Sequence, residues 1–219
     1  MTELFLASGS PRRSQLLTEA GIPFVLFVVP VEEEALAEAY PGPIEQLGEY
    51  LARVKVAMAH ATLAHEGRSG DVLAADTTVL LDSASLAKPR DAEEATWMLR
   101  RLRGRTHTVA TGVAVATPSG EIRSATSDTL VTMRDYSDDE IARYVATGDP
   151  LDKAGAYSIQ HPGFSPVATI EGCRLGVVGL PVCLAIALLG LDAPFPAGSI
   201  CPWSRACTPP FPEPPHGHA

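Results

Sequence analysis

The distribution of proline is the sequence feature that most limits where this chain can fold. Eight of its 19 prolines lie in residues 192–219. Each proline removes a backbone donor and fixes one dihedral angle, so regular helices and strand ladders cannot form at this density. We therefore expect one folded domain in residues 1–191 and a disordered, proline-rich C-terminal tail in residues 192–219.

The charge balance limits the partners that the folded part can attract. Acidic residues outnumber basic ones 26 to 17, which gives a formal net charge of −9. A long-range basic field that would gather nucleic acid is therefore absent, and a polyanion would need a local cluster of cations. Nucleic acid is accordingly not the expected partner.

Two apolar segments bear on where the protein resides. The first follows Met1-Thr2-Glu3, lacks a positively charged flank and is too short for an export signal. The second, residues 175–191, contains three glycines and Pro181, and its helical part is shorter than the roughly 20 residues that span a bilayer. We expect a cytoplasmic protein without a membrane span.

Hydrophobic periodicity predicts alternating strands and helices. Strands are expected at residues 3–7, 24–31, 71–75 with 78–81, 106–117 and 124–133. Helices are expected after Pro11, from Pro43 to Gly67, from Asp91 to about Leu102, from Ser137 to about Thr147 and after Pro181. One face of the second helix should carry Ile44, Leu47, Leu51, Val54, Met58 and Ala61. Because the alternation lacks a strict βαβ rhythm, the fold class is α/β with a mixed twisted sheet and flanking helices.

The first candidate site is the segment Ser8-Gly9-Ser10-Pro11-Arg12-Arg13, at a strand-to-helix junction. A helix N-terminus offers unpaired N–H groups to an anion, and two arginines add forked donors. The same residues also suit an ordinary capped helix with two solvated arginines. Neither a P-loop nor a dinucleotide-binding glycine motif is present.

Lysines and carboxylates supply the remaining candidates. The chain has only three lysines, Lys55, Lys88 and Lys153, against 14 arginines, so each lysine is a candidate for a specific role such as binding phosphate. Residues 32–34 are three consecutive glutamates, and Asp76 ends an apolar run. Such carboxylates could hold Mg²⁺, although a solvated acidic run and a turn aspartate explain them equally well.

Several long segments, taken in order, resemble the Maf family of nucleoside triphosphate pyrophosphatases. The resemblance spans roughly residues 3–190. It rests on LASGSPRRSQLL (6–17), VEEE (31–34), AADTTVLLD (74–82), AKPRDAEEA (87–95), GRTHTVATGVAV (104–115), DPLDKAGAYSIQ (149–160) and EGCRLGVVGLP (171–181). It implies an inosine triphosphate pyrophosphatase-like fold with two lobes around a cleft, and a homodimer is common in the family.

The resemblance also implies a reaction and a set of residues that perform it. A nucleoside triphosphate is hydrolysed to the monophosphate and pyrophosphate with a divalent cation, Mg²⁺ or Mn²⁺. Asp76 is the implied proton acceptor for the attacking water, or else a metal ligand, and Glu33 is implied to hold the metal with it. The implied phosphate contacts are Ser8, Arg13, Lys55 and Lys88.

Substrate choice in the family is tied to three positions, here Arg12, Thr77 and Gln160. This combination is similar to the branch that acts on dTTP and UTP, whereas the 7-methyl-GTP branch has a tryptophan at the first position. A glutamine amide can form hydrogen bonds with the edge of a pyrimidine base, which is consistent with the dTTP and UTP branch. Hydrolysis of 7-methyl-GTP, and a non-catalytic nucleotide- or DNA-binding role in inhibiting septum formation, remain alternatives.

Overall fold

Seven strands of this chain join into a single mixed sheet. The computed structural model describes residues 2–191, and the predicted tail lies outside the described residues. The strands are β1 (Leu4–Leu6), β2 (Val25–Leu26), β3 (Asp71–Leu81), β4 (Ala84–Leu86), β5 (Thr106–Ala116), β6 (Ile122–Met133) and β7 (Val167–Glu171). Their order is β2-β1-β3-β5-β6-β7, with β4 paired to β3. β1 runs parallel to β2 and β3, and the other pairs are antiparallel, so the predicted mixed sheet is confirmed.

Helices flank this sheet, also as predicted. They are α1 (Pro11–Glu19), α2 (Glu33–Glu38), α3 (Leu47–His65), α4 (Ala92–Leu102), α5 (Asp138–Val145), α6 (Arg174–Val178) and α7 (Val182–Leu189). Single turns of 3₁₀ helix lie at Ile44–Gln46, Asp149–Asp152 and Ala154–Ala156. Helices were expected to start at Asp91 and Ser137, and these residues are the N-caps of α4 and α5: their side chains accept from backbone N–H groups in the first turn. No helix in residues 2–191 is long and apolar enough to cross a membrane.

The hydrophobic core divides along β3, and this division creates two lobes. In the first half of the strand, Leu73 and Ala75 face a cluster built with α1, α6 and α7, while Val72 and Ala74 face α3 on the other side. In the second half, Val79 packs in a separate cluster with α4 and α5. Asp76, Thr77 and Thr78 lie between these clusters, so β3 carries them along the boundary of the two lobes.

Three sequence expectations were wrong in detail. The second strand is only two residues long rather than residues 24–31, because only Val25 and Leu26 pair with β1. Residues 148–179, where no strand or helix was predicted, contain β7 and α6. The buried face of α3 is rotated from the predicted one: Met58 and Ala61 are exposed, and Lys55 is buried with Ala52, Val56 and Ala59. The predicted face was drawn from apolar residues alone and left out Lys55, whose charge is satisfied inside the protein by ion pairs.

Candidate active site

A cleft of about 850 Å³ lies where the two lobes meet. All nine residues that the sequence nominated line it: Ser8, Arg12, Arg13, Glu33, Lys55, Asp76, Thr77, Lys88 and Gln160. The lining has five basic side chains, those of Arg12, Arg13, Lys55, Lys88 and Lys153. A chain with a strongly acidic net charge thus concentrates cations at one place, as binding of a polyanion requires.

Lys55 and two carboxylates form the centre of the cleft. The Lys55 Nζ lies 2.7 Å from Asp76 Oδ1 and 3.0 Å from Glu33 Oε1. The lysine side chain is 9% exposed, whereas that of Glu33, at the start of α2, is 48% exposed. Because Lys55 is nearly desolvated, its pairing with Asp76 is strong, and the Glu33 contact is weakened by solvent.

Two glycines let α3 approach the sheet closely enough to bring Lys55 to Asp76. Gly112 of β5 stands opposite Asp76 of β3 in the antiparallel register. A Cβ added to Gly112 would lie 2.1 Å from the backbone N of Glu49, and one added to Gly48 would lie 2.9 Å from the carbonyl O of Asp76. Only glycine permits this backbone-to-backbone contact at the start of α3.

The segment after β1 forms an anion cradle at the start of α1. No side chain caps this helix, and its first residues line the cleft; a helix N-terminus favours an anion there. The buried Ser8 hydroxyl accepts from the Ser10 backbone N at 3.2 Å and from Arg13 Nη1 at 3.1 Å. Both contacts use the lone pairs of the hydroxyl and leave its proton free to donate. The solvated-arginine alternative does not describe Arg13.

Arg13 is fixed in the floor of the cleft. Its Nε donates to the Gly179 carbonyl O at 2.8 Å, which ties α1 to the end of α6. Burial lowers the pKa of the Arg13 guanidinium from its ordinary value, while the nearby carboxylates of Asp76 and Glu33 oppose this shift. A guanidinium held by a carbonyl and a hydroxyl keeps further N–H donors for an anion.

The three positions associated with substrate choice lie on different walls. Arg12, on α1, forms an ion pair at 3.4 Å with Asp152. The hydroxyl of Thr77 is 3.0 Å from that of Thr111, which donates to the Gly176 carbonyl O. Gln160 is exposed, and its backbone N donates to the Ser158 hydroxyl at 3.1 Å. The cleft brings all three positions together.

Lys88 reaches the cleft from the segment after β4. It is exposed and makes no ion pair with residues 2–191. The β3–β4 turn that precedes it holds Asp82 and Ser83 at φ of 53° and 62°, in the left-handed region. Arg105 and Arg101 both pair with Asp82 and so support this strained turn. Lys88 therefore has no ion-pair partner within residues 2–191, and it follows a hairpin that Arg101 and Arg105 stabilise.

Sequence reasoning left two cleft residues out of the site. Lys153 was singled out only by the scarcity of lysine, and Asp152 was not considered. Both line the cleft, and Lys153 is 9% exposed. Both belong to DPLDKAGAYSIQ (149–160), one of the segments that carry the family resemblance, but 140 positions separate Asp152 from Arg12, and nothing in the sequence indicated their contact.

The donor set of the cleft suits a hard divalent cation. Within residues 2–191, His, Cys, Asp and Glu side chains form no cluster of three that could hold a metal by itself. However, Glu33 and Asp76 each direct one oxygen to the same ammonium group, so their carboxylates converge on one position. Mg²⁺ with phosphate substrates characteristically takes one or two carboxylates and retains water. Glu33 and Asp76 are therefore suitable ligands for a divalent cation such as Mg²⁺.

A mixed α/β fold with a cation-lined cleft, an anion cradle and two convergent carboxylates defines a class of protein that can bind a polyphosphate. The arrangement can neutralise several negative charges and hold a water molecule beside a carboxylate. The chain belongs to the Maf-like protein family, whose model matches residues 3–191. The resemblance noted in the sequence is thus confirmed.

Individual relatives agree with this membership. A protein named dTTP/UTP pyrophosphatase from Nitratidesulfovibrio vulgaris is 49% identical over 85% of this chain and 86% of its own length. Another of the same name from Escherichia coli O157:H7 is 46% identical over 86% of this chain and 92% of its own. A solved nucleoside-triphosphatase (dITP/XTP pyrophosphatase) from Mycobacterium abscessus is 19% identical, with a TM-score of 0.37, covering 61% of this chain and 73% of that one.

Proposed function

We propose that this chain is a nucleoside triphosphate pyrophosphatase that hydrolyses dTTP and UTP to the monophosphate and pyrophosphate. Relatives at 49% and 46% identity that carry the name dTTP/UTP pyrophosphatase support this activity. The observation that carries the proposal is the ammonium of Lys55, held between Asp76 and Glu33 in a cleft that also contains Arg12 and Arg13. Cations and carboxylates at such close range are what hydrolysis of a phosphoanhydride requires.

Four side chains would contact the phosphates. The Ser8 hydroxyl has a free proton, and Arg13 has free N–H donors beside it. Lys55 would neutralise charge at the centre of the cleft, and Lys88 would close on the phosphates from the hairpin. These contacts supply charge-assisted hydrogen bonds, which are stronger than neutral ones and gain further strength where water is excluded.

Asp76 would act on the water that attacks the anhydride. The bond between the α- and β-phosphates breaks, water supplies the new oxygen, pyrophosphate leaves and Asp76 accepts or orients the proton. Glu33 and Asp76 would hold the divalent cation, Mg²⁺ or Mn²⁺. When bound, such a cation neutralises phosphate charge and makes coordinated water more acidic. The Lys55 contact fixes the Asp76 carboxylate, so this base has one orientation.

Arg12, Thr77 and Gln160 would select the base. Thr77 is restrained by Thr111, and Gln160 offers an exposed amide on a loop turned by Ser158. An amide can donate and accept at once, which suits a pyrimidine edge. The names of the two relatives favour this choice over 7-methyl-GTP.

The domain boundaries, the cellular location and the partners belong to the same proposal. Residues 1–191 would form the whole pyrophosphatase domain, in line with the family match to residues 3–191. The protein would act in the cytoplasm, bind no nucleic acid in its main role and be able to form a homodimer.

Substitution of Asp76 by Asn tests the proposal. Asp76→Asn keeps the size of the side chain and its hydrogen bond to Lys55 but removes the carboxylate. We expect pyrophosphate release to fall at least about 100-fold in a protein that still folds, with a lower melting temperature because Lys55 loses a charged partner. Asp71→Asn is the matched control, since it lies on the same strand outside the cleft. Equal activity of Asp76→Asn and wild type would refute the role of Asp76.

A further inference from the structure

A chain of polar contacts connects the core of the second lobe to the cleft. The Tyr144 hydroxyl donates to Asp149 Oδ2 at 2.7 Å, and Lys153 Nζ donates to Asp149 Oδ1 at 2.9 Å. Lys153 Nζ also donates to Asp152 Oδ1 at 2.5 Å. Asp152 Oδ2 lies 3.4 Å from Arg12 Nη1. The contacts therefore run from a buried tyrosine to a residue of the anion cradle.

Lys153 is saturated by these contacts. Its third donor reaches the Asp149 carbonyl O at 2.7 Å, so the ammonium group makes three hydrogen bonds. An ammonium has three donors and no more. Lys153 lines the cleft but has no proton left for a phosphate. Its role must be exerted through the residues that it holds.

Asp152 is the residue through which Lys153 can reach the cleft. Its side chain is 68% exposed, which alone would leave it mobile. One carboxylate oxygen is fixed by Lys153, and the other faces Arg12. Among residues 2–191, the Arg12–Asp152 pair is the one ion pair that joins the two lobes. It sets the side chain of Arg12 from the opposite wall.

The contact with Asp152 orients Arg12 but leaves most of its N–H donors unoccupied. Asp152 meets a single terminal nitrogen, Nη1. A guanidinium has five N–H donors in a planar fork, so the remaining edge is free for a nucleotide. We propose that Asp152, anchored by Lys153, is a positioning residue that holds Arg12 in the orientation in which it receives the nucleotide. This inference rests on the proposed function for its kinetic consequence, although the contacts themselves do not.

The first test is Asp152→Asn, with steady-state kinetics on dTTP and UTP. We expect KM to rise about three- to tenfold, as for residues within one salt-bridge network, with kcat within about twofold. Glu121→Gln is the control, because it neutralises another exposed carboxylate paired with an arginine, away from the cleft. An unchanged or lower KM in Asp152→Asn would overturn the proposal, the latter because Asp152 would then compete with the nucleotide.

A double-mutant cycle separates positioning from a direct role. In the Arg12→Ala background, Asp152→Asn should change KM less than about twofold, since the residue through which it acts is gone. The same fold-change in both backgrounds would show that Asp152 acts independently of Arg12. Lys153→Arg keeps the charge and should retain more of the wild-type KM than Lys153→Met does.

A measurement on the free protein distinguishes failure of this inference from failure of the proposed function. Although burial raises the pKa of Asp152, the hydrogen bond from Lys153 and the charges of Lys153 and Arg12 hold it below its ordinary value. Carboxyl NMR titration should therefore show a higher Asp152 pKa in Arg12→Ala than in wild type. An unchanged pKa would refute the coupling even if the protein hydrolysed no nucleotide at all.

Discussion

The close contact between α3 and the sheet gives a sharp prediction, because Gly112→Ala adds a single methyl group at that contact. The new Cβ would lie 2.1 Å from the Glu49 backbone N and 2.4 Å from the Gly48 carbonyl C. Both neighbours are backbone atoms, so no change of rotamer relieves the clash. Ordinary contact begins near 3.4 Å, so α3 and β5 must separate by more than 1 Å locally.

This separation should affect both stability and activity. Overpacking of a close contact costs about 2 kcal/mol, which lowers the melting temperature of a domain of this size by about 6 °C. Since α3 carries Lys55, the 2.7 Å contact with Asp76 is also disturbed. A misplacement of about 1 Å at a catalytic centre reduces kcat/KM by about 100-fold.

Thermal unfolding and pyrophosphate release from dTTP would measure the two effects. Gly163→Ala is a suitable control, since its added Cβ would meet only the His161 ring, no closer than 3.4 Å. The reasoning would be refuted if Gly112→Ala matched wild type in both melting temperature and kcat/KM. A loss of stability with full activity would show that the position of Lys55 does not depend on this contact.

Three further outcomes follow from the structure. Burial lowers the pKa of His107 to about 4, so between pH 6.5 and 4 the unfolded chain binds a proton that the folded one does not. Urea unfolding should therefore show that the free energy of unfolding falls by about 3 kcal/mol as the pH is lowered from 6.5 to 4. The variant His107→Gln should lack this loss. A pH-independent stability over that window would contradict this. Lys88→Met should lower kcat/KM about 10- to 100-fold with little change in melting temperature, since Lys88 is exposed and unpaired within residues 2–191. Deletion of residues 192–219 should leave kcat/KM within about twofold, and a large loss would disprove the proposed domain boundary.

The elements of this fold were predictable wherever one local signal decided them. Pro11, Asp91 and the Ser137 capping box mark helix starts that the structure reproduces. The hairpin of β5 and β6 follows from two β-branched runs around a turn at Pro118-Ser119-Gly120. The short strand β2 was overextended because apolar residues 24–29 continue past the two that pair with β1.

The buried face of α3 was mispredicted for a physical reason. The predicted face was built from apolar residues only, but the buried face also holds Lys55, which pairs with two carboxylates. The helix is consequently rotated so that Met58 is 39% exposed. A departure from the hydrophobic pattern coincided here with the candidate site, as expected where function overrides packing.

The site residues were nominated by motifs, and the structure brings all of them to one cleft. Contacts between motifs that lie far apart in the sequence could not be predicted from the residues alone. The link from Lys153 through Asp152 to Arg12 spans about 140 positions and depends on how the two lobes face each other. The close contact between Gly112 and the backbone of α3 likewise becomes evident only when the register of β3 and β5 is known.

The central claim is tested most directly by measuring pyrophosphate release from a panel of nucleoside triphosphates, with Mg²⁺ and with a chelator. The panel should contain dTTP, UTP, CTP, GTP, ATP, ITP and 7-methyl-GTP. We expect cation-dependent release that is strongest with dTTP and UTP. Strong release from 7-methyl-GTP would contradict the assignment of the base, and no release from any nucleotide by the folded protein would contradict the enzymatic function itself.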